Sequence, residues 1–483
     1  MLQTRNQLRG PIFYFLFSVF VSFALSAGAQ APPLKKTATA SKQRADLLVT
    51  SGTIVTMDAA RRVIEDGAIA VRGSVIVAIG PTAEIVAQYT AARSINARGR
   101  LILPGLINTH NHAPMTLFRG LADDLTLQDW LEKYIFPAEA KNVTEDFVIW
   151  GTRLAVLEMI RGGTTTFADM YYFEDAVART TKAAGMRGVL GESLLDFPVP
   201  DNKTHAAALA YTENFLKKWQ GDPLIHAAVA PHAAFTNSEE FLKDAAALAR
   251  RYGAPILIHV SETKRENDDI RAKFGASPVA FLDRIGFLGP DVLAAHCIWV
   301  DAADIATLVQ RDVGCAHNPS SNMMLASGVA PVVDMLRAGL RLGLGTDGPA
   351  GSNNDLNMME EMDLAAKLQK VSRMDPRALS AEQALELATI GGARALHMEK
   401  EIGSLETGKK ADLILLRTDL PHAVPSYNLY SSIVYSLKAS DVVSVIINGR
   451  AVMLDRRVLT LRESEVLARA KEYAEKVKSS LSQ

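Results

Sequence analysis

Eight short apolar runs, each followed by a stretch with helical spacing, constrain this chain more than any other feature. They are ILPGLINTH (102–110), TTTFADM (164–170), RGVLGESL (187–194), LIHAAVAP (224–231), PILIHVSE (255–262), VLAAHCIWV (292–300), VGCAHNP (313–319) and RLGLGTDG (341–348). Each is nearly continuous in apolar residues, which suits a strand buried on both faces of a parallel sheet. Between them, TEDFVIWGTRLAVLEMIRGG (144–163) has helical spacing and a glycine stop. SEEFLKDAAALARRYG (238–253) opens on a capping serine, and Ser380 with Gln383 forms a capping box ahead of a later helix. Eight strands alternating with helices predict an α/β chain built on a (β/α)8 TIM barrel.

The flanks read differently. Residues 46–103 and 409–460 alternate in polarity between glycine turns, as antiparallel strands do. Neither segment could bury a core alone, so the two are expected to join in one small β-sandwich. The barrel then occupies 104–408, and 461–483 is a charged surface helix. Residues 1–29 carry Arg5 and Arg9, the apolar run IFYFLFSVFVSFAL (12–25) and the small residues Ala27-Gly28-Ala29. That is the layout of a secretory signal peptide. The run is short for a membrane span, so the expectation is an exported protein, periplasmic or secreted, with no stable membrane insertion after cleavage. Residues 30–45 read as a solvated linker.

Composition excludes some partners. A net charge of −1 gives no electrostatic case for nucleic acid. The two cysteines, Cys297 and Cys315, can form neither a disulfide framework nor a four-cysteine zinc site. The remaining partners are a small-molecule substrate and a second copy of the chain in a homo-oligomer.

Among the ten histidines, His110 and His112 stand two apart at the end of the first run. Side chains two apart on a strand share a face, so both imidazoles would point at one spot near the barrel axis. Taken alone, such a pair is more often incidental. His259 ends the fifth run with Glu262 three residues further on, His296 ends the sixth, and Asp347 ends the eighth. Taken singly, a strand-end histidine is a satisfied core residue, and an aspartate in LGTDG is a turn residue or helix cap. Together, five metal-type side chains fall on the strand ends where barrels build active sites. Imidazole suits zinc at about 2.0–2.1 Å, and the set reads as a metal site. Gly343-x-Gly345-x-x-Gly348 matches a dinucleotide fingerprint in letters only: Asp347 lies inside it, Pro349 follows, and no first βαβ unit surrounds it. Met323-Met324 and Met358-Met359 read as packing.

PGLINTHNH, PHAAFT, HVSET, AHCIW, HNPSSN and GTDGPAGSNNDLNMMEEM resemble the amidohydrolase superfamily. Over residues 46–460 the chain is most similar to its methylthioadenosine/S-adenosylhomocysteine deaminases. The resemblance implies that His110, His112, His259 and Asp347 hold one Zn²⁺ per subunit, other divalent metals such as Fe²⁺ being admissible. No lysine stands at a strand end, so the bridging carbamylated lysine of two-metal relatives has no candidate. Zinc brings the pKa of bound water down towards about 7 and supplies hydroxide at neutral pH. The catalytic roles implied are Glu262 as proton donor to N1 of an adenine ring, His296 as the group holding the water, and Asp347 as the relay to departing ammonia.

The substrate would be an adenine nucleoside: adenosine, 5′-deoxyadenosine, 5′-methylthioadenosine or S-adenosylhomocysteine. By the same resemblance Glu139 takes the ribose hydroxyls and His232 touches purine and ribose. Without it, Glu139 is an exposed helix charge. Trp130 either walls the 5′ side or is a packed tryptophan. Relatives that clamp the amino-acid tail use arginines after the third strand, whereas residues 188–210 hold none and Glu192 stands where one is expected. A carboxylate cannot pair bidentately with a carboxylate, and Lys203 and His205 would substitute only in part. The alternatives are another amidohydrolase, such as a guanine deaminase, a triazine amino- or chlorohydrolase or a cyclic amidase. Beyond enzymes they are a ligand-less scaffold and a periplasmic purine-binding protein.

Overall fold

The computed structural model describes residues 14–18 and 41–481. The segments expected to be a signal peptide and a linker therefore lie largely outside the described residues, and the expected linker ends early, because a strand already begins at Gln43. The chain divides into two units, Met1–Ser41 and Lys42–Gln483. In the first, residues 14–18 are exposed and without regular structure. The second carries the fold.

Its centre is a parallel eight-stranded sheet that curls into a barrel: β1 (Leu106–Asn111), β2 (Thr164–Tyr171), β3 (Arg187–Leu194), β4 (Ile225–Pro231), β5 (Ile256–Val260), β6 (Val292–His296), β7 (Gly314–His317) and β8 (Arg341–Leu344). All eight expected runs contribute a strand. The first is split, because Arg100–Pro104 pairs with the flanking sheet while β1 begins only at Leu106. Alternate residues face in and out, as strand geometry requires. Ile107, Ala168, Met170, Val189, Ala228, Leu257 and Leu293 pack inside the barrel. Phe167, Leu190, Val229, Ile258 and Val292 face outwards, into the larger core shared with the helices.

The helices begin and end where their sequences say. Thr144 caps Glu145–Gly162 by accepting from the Phe147 N–H, and Gly163, at φ 91, closes it just before β2. Ser238 caps Glu239–Tyr252 in the same way, and the Ser380–Gln383 capping box is present.

The two flanking segments share one nine-stranded sheet running from Gln43 to Val458, joined where Arg100–Pro104 pairs antiparallel with Leu413–Arg417. Leu47, Val49, Ile54 and Ile69 from the first segment pack with Leu413, Leu415, Val443 and Ile446 from the second. This is the expected β-sandwich, completed by both ends of the chain. A fully buried ion pair ties it to the barrel. Arg187 of β3 donates to Asp412 at 3.1 Å and to the Pro223 carbonyl at 2.8 Å. The terminal helix Glu463–Leu481 has one buried face, where Tyr473 packs edge-on against Phe147. Among the described residues no helix is long and apolar enough to cross a membrane.

Candidate metal and active site

The barrel does not close through a regular ladder. Between β1 and β8 the backbone link is the Asp347 N–H to the His110 carbonyl, 3.0 Å. Side chains supply the rest. Thr109 Oγ1 donates to the Leu344 carbonyl at 2.8 Å, and Asn108 accepts from Thr346 N and donates to Thr346 Oγ1. This seam sets His110 beside Asp347. The phase of β1 also changes along its length, in its ladder with β2: Ile107 faces the barrel interior, yet so do His110 and His112, an odd number of residues on. The register slips between Asn108 and Asn111, which accounts for the change.

Four groups meet there. The ligand atoms of His110, His112, His259 and Asp347 lie within 4.8 Å of one another. His110 Nε2 and His112 Nε2 are 3.3 and 3.2 Å from Asp347 Oδ1, and the Nε2 atoms of His112 and His259 are 3.3 Å apart. Ligands about 2.0–2.1 Å from a tetrahedral Zn²⁺ sit roughly 3.3–3.4 Å from each other, so these spacings fit that ion. The donor chemistry fits as well. His112 Nδ1 is 2.6 Å from the Met170 carbonyl and His259 Nδ1 is 2.7 Å from the His232 carbonyl. Each ring therefore has its Nδ1 engaged by a carbonyl and turns its Nε2 inwards. His110 Nε2 is buried without a hydrogen-bond partner. Burial lowers the pKa of His110 to about 4 and that of His259 well below its ordinary value, keeping both rings neutral. Burial opposes charge on His112 too, but hydrogen bonding to Asp347 outweighs it and raises that ring to about 9. Asp347 is held well below the usual carboxylate range against its burial, by the imidazoles of His110 and His112 beside it.

Beside this tetrad stand Glu262 and His296. His296 Nε2 lies 3.8 Å from Glu262 Oε2 and 3.9 Å from Asp347 Oδ2. By alternation from Leu293, His296 should face outwards. Its left-handed backbone, φ 73, breaks the alternation and brings the ring into the cleft. Burial raises the pKa of Glu262, with His296 opposing the shift. The cleft beside this group is also lined by Met115, Leu127, Trp130, Leu131, Phe136, Ser193 and Glu139. Glu139 accepts from the Tyr171 hydroxyl at 2.7 Å, and burial raises its pKa to about 7. A side cavity of about 650 Å³ opens beyond Glu139 and Tyr172, walled by Phe197, Pro198, Val199 and Phe235.

The amidohydrolase family model matches residues 101–452, and that of the imidazolonepropionase-like composite domain of bacteria matches 67–92. The chain belongs to the amidohydrolase family. Among its relatives, a 5-methylthioadenosine/S-adenosylhomocysteine deaminase of Syntrophobacter fumaroxidans is 49% identical over 435 residues, covering 90% of this chain and 99% of that protein. A 5′-deoxyadenosine deaminase of Methanosarcina acetivorans is 44% identical over 435 residues, covering 90% and 98%. The crystal structure of an adenosine deaminase from Xanthomonas campestris with bound zinc matches with a TM-score of 0.89 at 37% identity, over 91% of this chain and 100% of that one. The resemblance read from the motifs thus holds for the superfamily and for its methylthioadenosine/S-adenosylhomocysteine deaminase branch. Zinc is the cofactor of this amidohydrolase, and the tetrad is the site that fits it.

Of the expected site residues, this amidohydrolase gathers His112, His259, Asp347, Glu262, His296, Glu139, His232 and Trp130 on one cleft, with His110 buried against Asp347. Trp130 is a packed tryptophan that also lines the cleft. Its indole Nε1 donates to the Ala350 carbonyl at 2.7 Å. Glu139 is no exposed helix charge but is 4% exposed. Glu192 is the exception. Val189 and Ser193 face inwards, so Glu192 faces out. It is fully buried behind the barrel wall, where it accepts from the Glu174 N–H at the start of helix Glu174–Ala183 and from Asn202. It is an anchor for that helix and loop, not a cleft residue. Lys203 reaches the side cavity, but its Nζ donates to the carbonyls of Val199 and Pro200. His205 pairs with Asp196 and stacks on Phe241. Sequence reasoning passed over Tyr171, which holds Glu139, and over Asn318, Ser321 and Asn322. The density of polar residues in HNPSSN was the available signal.

Proposed function

We propose that the protein is a zinc-dependent hydrolase that deaminates adenine nucleosides, water replacing the 6-amino group to give the inosine analogue and ammonia. The candidate substrates are adenosine, 5′-deoxyadenosine, 5′-methylthioadenosine and S-adenosylhomocysteine. One observation carries this reading: a tetrad for the metal and a separate buried carboxylate, Glu139, border a single cleft. A free base needs only the metal side, whereas a nucleoside also uses the carboxylate.

Zinc bound by His110, His112, His259 and Asp347 supplies the acidity that makes water a nucleophile near neutral pH. The side chains do the rest. Glu262, whose burial favours the protonated carboxyl, gives a proton to ring N1 as the C6 centre becomes tetrahedral. His296 holds the attacking water between itself and Asp347. Asp347 takes a proton from that water and returns it to the leaving amine. His232 Nδ1 lies 3.1 Å from Thr236 Oγ1, and burial lowers its pKa to about 3, so a neutral ring turns Nε2 to the substrate. Glu139 binds the ribose hydroxyls, with Tyr171 fixing its carboxylate.

We also propose that the chain is exported on the signal-like residues 1–29 and works as a monomer or homo-oligomer without nucleic-acid partners. Ammonia release from adenine nucleosides, guanine and triazines, measured with the wild type and Glu139→Ala, tests the main reading. Turnover of nucleosides, lost far more than turnover of free bases in the variant, is the expected pattern. Preference for guanine or a triazine, unaffected by the variant, would replace the reading with another amidohydrolase activity.

A further inference from the structure

The short helix that follows β7, Pro319–Met324, touches both groups assigned to the reacting water, His296 and Asp347. His296 Nδ1 lies 3.0 Å from Asn322 Oδ1 and 3.3 Å from Asn318 Nδ2. Next to Asn322, Ser321 Oγ donates to Asp347 Oδ2 at 2.7 Å. Asn318, Ser321 and Asn322 are all buried, and the Asn322 N–H donates to the Asn318 carbonyl, which fixes their spacing.

The two contacts at His296 exclude one another. A neutral imidazole carries one N–H. If the hydrogen is on Nδ1, the ring donates to Asn322. If Nδ1 is bare, it accepts from Asn318. The first tautomer presents a bare Nε2 to the cleft, and the second presents Nε2–H. The shorter contact is the one to Asn322. Only the first tautomer lets Nε2 accept a hydrogen from a water that Asp347 also holds. In metal sites the partner on the far nitrogen of an imidazole decides this choice.

We propose that Asn322 is a positioning residue, which accepts the Nδ1–H of His296 and thereby fixes the tautomer with a bare Nε2 towards the reacting water. Asn322 does not line the cleft and acts through His296. Ser321 does the corresponding work on Asp347, holding Oδ2 while Oδ1 faces the histidines. The proposal rests on His296 working at the water, but the tautomer can be read without turnover.

The experiment compares zinc-loaded Asn322→Asp, Asn322→Ala and Asn322→Leu with the wild type. Aspartate keeps an acceptor at the same place, alanine removes it, and leucine fills the space without it. The expected result is a kcat lowered about 10–100-fold in the alanine and leucine variants, with KM and zinc content little changed and aspartate well above leucine. If Asn322 only fills space, leucine retains more activity than a buried aspartate, and that order overturns the proposal. In parallel, ¹⁵N-histidine spectra of the holoenzyme read the tautomer, the His296 signal being assigned by its loss in His296→Gln. A proton on Nδ1 in the wild type, lost or shared with Nε2 in Asn322→Leu, is expected. A wild-type ring protonated on Nε2 overturns the proposal whether or not any nucleoside is turned over. A proton on Nδ1 in a protein inactive on nucleosides would sink the deaminase reading alone.

Discussion

Replacing Gly345 with alanine tests whether the zinc site depends on how closely β8 approaches β1. A methyl group there would lie 2.4 Å from Asn318 Oδ1, 2.8 Å from the backbone N of His110 and 2.9 Å from His110 Cβ. Comfortable separations between such atoms are about 3.5–4.0 Å, so His110 or the strand must retreat by roughly 0.6–1 Å. The Asn318 side chain can turn aside, but the His110 backbone is pinned to Asp347 N by the seam hydrogen bond. Metal ligands tolerate displacements of only about 0.2 Å. Overpacking of this kind costs about 1–3 kcal/mol. Carried by the tetrad, that is roughly a 5- to 150-fold loss of zinc affinity, at 1.4 kcal/mol per tenfold. The assay is zinc retention against a graded chelator, read by elemental analysis. Gly80→Ala is the control, since its added methyl meets nothing nearer than Ile85 Cδ1 at 3.7 Å. Gly345→Ala should release zinc at a lower chelator concentration than either the control or the wild type. A variant that holds zinc at the wild-type midpoint with wild-type turnover would refute the claim that the seam sets the ligand geometry.

Glu262→Gln should keep its zinc while kcat falls by about 10²–10⁴-fold, read as ammonia release beside elemental analysis. Arg187→Met leaves Asp412 buried with the Asn448 N–H but no cation, a loss of about 3–5 kcal/mol. With unfolding entropy of about 2.1 cal/mol/K per residue over roughly 440 folded residues, the melting temperature should drop by about 4 °C in scanning fluorimetry. Glu361 accepts from Ser320 N and Asn353, yet burial raises its pKa to about 8. The folded state therefore holds its proton more tightly than the unfolded chain does. This contribution is fully present below the unfolded value near 4.5 and is lost as pH rises towards about 8. Denaturation of the wild type and Glu361→Gln across that window should show the wild type losing stability relative to the variant as pH rises, whatever their offset.

The barrel was legible because its strands are buried on both faces. RGVLGESL forms β3 over its full length. The same continuity hid which face was which: a run apolar on both sides carries no parity, and Glu192 was placed in the cleft when it points away from it. The later strands end sooner than their runs. HVSE, AHCIW and GTDG turn at Ser261, His296, Cys297 and Asp347, all with positive φ. Sequence reading looks for glycine at such turns, and here non-glycine residues take them because packing and hydrogen bonds over-determine the backbone. The tetrad was legible because its members are of metal-binding type at strand ends. The residues that aim it and His296, namely Asn108, Thr109, Ser321 and Asn322, were not. Serine, threonine and asparagine occur in every loop, and only the fold shows that these four are buried.

The seam explains why function sits where it does. Seven of the eight barrel junctions are made by strand pairing, and the eighth, between β1 and β8, relies on Asn108, Thr109 and Thr346. A side-chain seam costs regular ladder hydrogen bonds, and on the other edge of β1 the ladder with β2 slips between Asn108 and Asn111, which turns His110 and His112 inwards together. A regular β1 in phase with Ile107 would send both imidazoles into the helical layer. The glycines of the false dinucleotide fingerprint then have a physical reason. An added methyl at Gly343 meets Thr109, at Gly345 His110 and at Gly348 His112, so each glycine admits one residue of the metal-bearing stretch.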